Sequence, residues 1–186
     1  MNNERNKKNA SEAVVVEHAM VTGMFSDRES AENAFNSLHE KGYTNDDINL
    51  IMSNETRKKY FGSDLKTTEI GTKAAEGAGK GLAIGGTVGA VAGVLAALGT
   101  SIVIPGLGIL IAGPLAAGLA GAGAGSMTGG VIGALVGAGI PEERAKLYET
   151  GVKNGHIVMG VHPHDDQDAD YLEKAWIANK GKEVFR

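Results

Sequence analysis

From Gly81 to Pro141 the chain carries no Asp, Glu, Lys, Arg or His. A run this long without charge has few homes. It must sit inside a large core, at an interface between subunits, or in lipid. It divides the sequence into three parts: residues 1–80 are mixed and charged, the middle is apolar and small, and charge returns at Glu142.

Within the middle part small residues keep a fixed period. Gly77, Gly81, Gly85, Gly89 and Gly93 recur every four residues, and Ala97 continues the row. Gly113, Ala117, Gly121, Gly125, Gly129, Gly133 and Gly137 form a second row of the same period. Positions four apart share one face of an α-helix, so each row predicts a helix with a smooth groove against which another backbone can approach closely. Glycine costs about 1 kcal/mol per helical position relative to alanine, so the two rows together carry a penalty on the order of 10 kcal/mol. Close packing has to offset it. The chain holds 28 glycines, roughly twice the ordinary share of about 7%.

The rows predict a glycine-zipper helical hairpin over residues 77–140, with its bend at Pro105, Gly106 and Gly108 inside the apolar stretch 100–114. Gly77 to Gly99 as helix would measure roughly 34 Å, against about 30 Å for a bilayer core. Lys66, Lys73, Lys80, Arg144 and Lys146 flank the base, which by the positive-inside rule keeps both ends on the cytoplasmic side. The expected place is the cytoplasmic face of the inner membrane, with membrane lipid and other copies of the chain as partners. The alternative is a cytoplasmic, self-assembling particle with the hairpin buried between subunits.

The flanks read as two β-α-β runs. Residues 19–25 form a strand, Ser26 and Glu29 stand at capping-box spacing, and Ala31, Ala34, Phe35 and Leu38 mark one face of a helix that Gly42 ends. Ile48, Leu50 and Met52 then predict a half-buried strand. After the middle, Pro141, Glu142 and Glu143 open a helix, His156 to His162 form a strand, Asp168 is the expected cap of a helix carrying Ala169, Leu172, Ala175 and Trp176, and residues 182–185 form a short last strand. The order predicts an α+β fold, a ferredoxin-like split βαβ sandwich interrupted by the hairpin. The expected division is a flexible tail at 1–18, the first half of the domain at 19–53, a linker at 54–76, the hairpin at 77–140, and a helix with the second half at 141–186.

Net charge is −4 and the pI about 5.7, which argues against a nucleic-acid binder. With no cysteine there is neither disulfide nor thiolate ligand. The polar opening, residues 1–13, lacks the apolar core of a secretory signal. His156, His162, His164, Asp165 and Asp166 match no standard metal spacing, and His156 and His162 lie about 20 Å apart along their strand. Lys80 is followed by Gly81 rather than Ser or Thr, so Gly77 to Gly81 is not a phosphate loop. No catalytic residue, metal, cofactor or small-molecule substrate is expected, and Trp176 falls on a core stripe.

Val21 to Ser53 resembles the N-terminal module of the bacterial general stress protein 17M family, the heat-induced stress proteins. Phe25, Ala31, Ala34, Leu38, Gly42, Tyr43 and Ile48 carry the likeness. Gly139 to Gly155, with Pro141, Glu142, Glu143, Ala145, Tyr148, Gly151 and Val152, resembles the segment that ends the glycine-rich part of bacterial stress-associated proteins. Together the likeness covers about two-thirds of the chain. It implies a non-enzymatic role in the general stress response.

Overall fold

In the computed structural model, the structure describes residues 19–61, 101–104, 106–121 and 130–186. Strand β1 (Val21–Phe25) leads to helix α1 (Arg28–Glu40). A short 3-10 turn at Asn45–Asp47 precedes β2 (Ile48–Ser53), and α2 (Asn54–Phe61) follows. Then come β3 (Ser101–Ile104), β4 (Ile109–Ala112), α3 (Pro114–Gly121) and α4 (Gly130–Gly137). The last elements are α5 (Glu142–Lys153), β5 (Ile157–Val161), α6 (Asp166–Ala178) and β6 (Lys182–Phe185).

The fold is α+β. One six-stranded sheet runs β3-β4-β2-β5-β1-β6, and every neighbouring pair is antiparallel. The two flanks interleave: β5 lies between β1 and β2, with Phe25 opposite Ile157 and Ile51 opposite Val158.

Both faces of the sheet are covered. On one, Val21, Phe25, Ile48, Leu50, Met52, Met159 and Val161 meet Phe35 and Leu38 of α1 and Leu172 and Trp176 of α6. On the other, Met24, Ile51, Ile109, Ile111 and Val158 meet Ala116, Val131, Ala134 and Leu135 of α3 and α4 and Ala145, Tyr148 and Val152 of α5. The covering of that second face corrects the half-buried strand expected at β2: all six of its residues are buried. Trp176 is fully buried, as its stripe predicted, lying over Gly23 and donating from Nε1 to the Ala34 carbonyl at 3.2 Å.

Two helix starts move by one to three residues. Asp27, not Ser26, caps α1, accepting from the Ser30 N–H at 2.8 Å. Asp165, not Asp168, caps α6, accepting from the Asp168 N–H at 2.8 Å. In each case a carboxylate faces a free first-turn donor.

The apolar stretch read as the bend between two helices is instead a β-hairpin. Ser101 stands opposite Ala112 and Ile104 opposite Ile109, which extends the sheet beyond β2. Ile and Val suit a pleated surface, and four-residue strands need no helical length. Gly106 (φ +82°) and Gly108 (φ +60°) make the turn, with the Leu107 N–H donating to the Ile104 carbonyl at 3.3 Å. Pro105 lies outside the described residues. Residues 54–61 of the expected linker are helix α2. Among the described residues no helix is long and apolar enough to cross a membrane.

Candidate functional site

The charge-free residues build most of the layer over the second face of the sheet, and the site starts from how one glycine turns the chain onto it. Gly113, directly after β4, has φ +98°, and a Cβ there would stand 2.2 Å from the Ile48 carbonyl oxygen. Only glycine passes this point. The Leu115 N–H of the next turn donates to Asn49 Oδ1 at 2.8 Å, and Asn49 Nδ2 donates to the Gly160 carbonyl at 3.3 Å. Asn49 is 1% exposed. A side chain expected to face solvent from β2 thus supplies the partner for a free donor at the start of α3.

Beyond Asn49 a groove of about 710 Å³ opens between α3, α4 and the end of the sheet where β2 and β1 begin and β5 ends. Leu115, Gly118 and Leu119 line it from α3, and Gly133, Ala134 and Gly137 from α4. His162 and Asn49 are its polar side chains, and Asn49 has both ends engaged. Among the described residues that line it there is no Asp, Glu, Lys or Arg. Leu107, in the β3–β4 turn, and Val136, on α4, are 42% and 44% exposed, and Val103, which shares the first face of the sheet with its partner Leu110, is 42% exposed.

The expected packing glycines divide accordingly. Gly133 and Gly137 line the groove from one helix, α4. Gly113 is a correction: its left-handed backbone puts it in a bend, so the second row does not start a helix there. Gly121 is the last residue of α3. Gly118, which the period-four row passes over, is the glycine that α3 presents to the groove; its signal was its place between Leu115 and Leu119, on one helical face. Gly77, Gly81, Gly85, Gly89, Gly93, Gly125 and Gly129 lie outside the described residues.

A second cluster stands on the opposite face. Tyr43, after α1, donates to Asp168 Oδ2 at 3.1 Å and accepts from the His164 N–H at 2.9 Å. The rings of Tyr43 and His164 stack 4.2 Å apart, His164 Nδ1 lies 3.1 Å from Asp168 Oδ2, and Lys41 Nζ lies 3.0 Å from Asp168 Oδ1. Burial, aided by the Asp168 carboxylate, pushes the Tyr43 hydroxyl up to about 12. The Asp168 carboxyl sits below its ordinary range: burial opposes the shift, and hydrogen bonds from Lys41, His164 and Tyr43 outweigh it. Tyr43 therefore stays protonated and Asp168 ionised through the neutral range. That arrangement ties the chain after α1 to the start of α6, with neither group poised to exchange a proton near pH 7. His156, whose Nδ1 lies 3.2 Å from Met24 Sδ, is lowered by burial and by Lys182. Among the described residues no three His, Asp or Glu side chains gather as a metal site.

The chain matches no protein-family model, no curated protein and no solved structure.

Proposed function

We propose that this chain is a non-enzymatic general stress-response protein that assembles with copies of itself through its charge-free layer. The observation that carries the reading is the outer face of that layer. It leaves Leu107 and Val136 more than two-fifths exposed within a segment that has no charged residue from Gly81 to Pro141. Apolar side chains left in water on a charge-free layer support reading it as an interaction surface. Among the described residues no helix is long and apolar enough to cross a membrane. The described part of the layer therefore suits another copy of the chain better than a transmembrane span.

The stress-response role rests on the likeness of Val21 to Ser53 and of Gly139 to Gly155 to stress proteins. The order β2-β5-β1-β6 with α1 and α6 on one face supports reading these elements as a ferredoxin-like split βαβ core, with the β3–β4 hairpin added at the β2 edge. The Tyr43, His164 and Asp168 cluster serves structure in this reading, because its hydrogen bonds tie the chain after α1 to the start of α6.

The test is the mass of the purified full chain in detergent-free buffer, for the native sequence and for Val136→Lys and Leu107→Lys. A native oligomer that dissociates in both variants is the expected result. A native chain that stays monomeric at every concentration, or that is recovered only with membranes, overturns it.

A further inference from the structure

The sheet ends in two unlike edges. β6 forms one, and it is guarded. It carries Lys182 and Glu183, its pairing with β1 shifts register between Thr22 and Met24, and Glu183 has φ +50°. Arg144 Nη1 also donates to Glu183 Oε2 at 2.8 Å. Charge and an irregular register keep an edge strand from pairing with another chain. β3 forms the other edge. Its four residues, Ser101 to Ile104, hold no charge and no proline, and their register with β4 runs unbroken from Ser101 opposite Ala112 to Ile104 opposite Ile109. Among the described residues β4 is the one strand that pairs with β3. In an antiparallel ladder each residue directs both backbone groups to one side, and successive residues alternate. Half of the residues of β3 therefore aim N–H and C=O away from β4.

We propose that two copies of this chain pair through β3, antiparallel about a two-fold axis perpendicular to the sheet, with Val103 opposite the partner's Val103. The proposal rests on the reading that the chain assembles with itself, and it names the strand and the register. Outward backbone groups on a regular edge call for another strand. A second β3 is as uncharged as the first, so no like charges meet across the pair, and two-fold symmetry lets one strand serve both copies. Opposed residues must share a face, because a slip of one residue turns every side chain over. With the axis at Val103, Ile102 stands opposite the partner's Ile104. Val103, 42% exposed on the first face, then gains an apolar neighbour. On the second face Ala116 of α3 packs in one cluster with Ile104 and Ile109, so pairing brings the α3 helices of both copies toward one another. The two six-stranded sheets become one.

The chain has no cysteine of its own, so Val103→Cys in the full chain can form a disulfide only between copies. Directly opposed strand residues have Cα atoms about 4.5–5.5 Å apart, inside the range of about 4.4–6.8 Å that a disulfide needs. Mild oxidation in dilute solution should bring Val103→Cys to twice the single-chain mass on a gel without reductant. Ile177→Cys, on α6 and 56% exposed, reports chance collision and should stay a single chain. Charge supplies a second arm. Val103→Lys and Val103→Glu each set like charges face to face at the axis. Each alone should lower the native mass by half, and an equimolar mixture of the two should restore it. Unchanged Trp176 emission shows that each variant has folded.

Val103→Cys that links no faster than Ile177→Cys overturns the proposal. So does a native mass that both charged variants keep, or a mixture of the two that stays apart. The two readings fail separately. A native oligomer that Val136→Lys dissociates and neither charged Val103 variant changes leaves assembly through the layer standing and overturns edge pairing. A native chain that is monomeric, with Val103→Cys linking no faster than the control, overturns both.

Discussion

At the scale of single residues, glycine does opposite things a few positions apart. Gly113 occupies a left-handed backbone with a carbonyl 2.2 Å from where a Cβ would be. Gly113→Ala should destabilise the fold by about 3 kcal/mol or more, read as a lower denaturation midpoint. Gly118 lies inside α3 in open space, so Gly118→Ala should leave the described fold intact and stabilise its helix by up to about 1 kcal/mol. If the two variants moved the midpoint equally, the backbone argument would be wrong.

Asp27 supplies a pH dependence. Its hydrogen bond from the Ser30 N–H holds the carboxyl below its ordinary value, with Lys180 helping. A carboxyl depressed in the folded state stabilises it above the unfolded value of about 4 and loses that contribution as pH falls through the folded value. Asp27→Ala should cost about 1 kcal/mol at pH 7, and the gap to the native chain should close below about pH 4. A gap that persists at pH 2 would assign the effect to something other than the charge.

At the scale of elements, the flanking pattern was legible because its signals are local. Apolar spacing in α1 and α6, Gly42 after α1 and Pro141 before α5 need no partner to be read. Those signals also placed Trp176 in the core. It is the chain's sole tryptophan, so its emission should be blue-shifted in the folded protein and move to the red on unfolding. Trp176→Ala should cost about 3–5 kcal/mol in a denaturation series. Emission already red in the native state would contradict the burial.

The middle elements were less legible for a physical reason. Ile102, Val103, Ile104, Ile109, Leu110 and Ile111 are apolar without alternation, and a short apolar run fits a buried strand as well as a buried helix. The neighbouring glycine rows suggested helix, while pairing with the free edge of β2 decided for strand. Asn49 was hidden by the same kind of non-local partner. Its polar side chain indicates solvent unless one knows that the Leu115 N–H arrives beside it. Gly118 shows the opposite limit, since its helical face was present in the sequence but fell outside the strict four-residue period.

At the scale of the whole molecule, a chain of net charge −4 keeps its ionised groups off one entire segment. Among the described residues, α3 and α4 of that segment join α5 in covering the second face of the sheet, and Leu107 and Val136 stand exposed. Such a layer gains from association because each copy removes about 25 cal/mol of unfavourable hydration per Å² of apolar surface covered. One lysine at its centre would bring an unpaired charge into that contact, at a cost of several kcal/mol.

The most direct measurement of the central claim is therefore sedimentation equilibrium of the full chain without detergent, native beside Val136→Lys. The account predicts a defined homo-oligomer for the native chain and a folded monomer for the variant, with the same tryptophan emission. A native chain that remains monomeric, or a variant that assembles equally well, would contradict it.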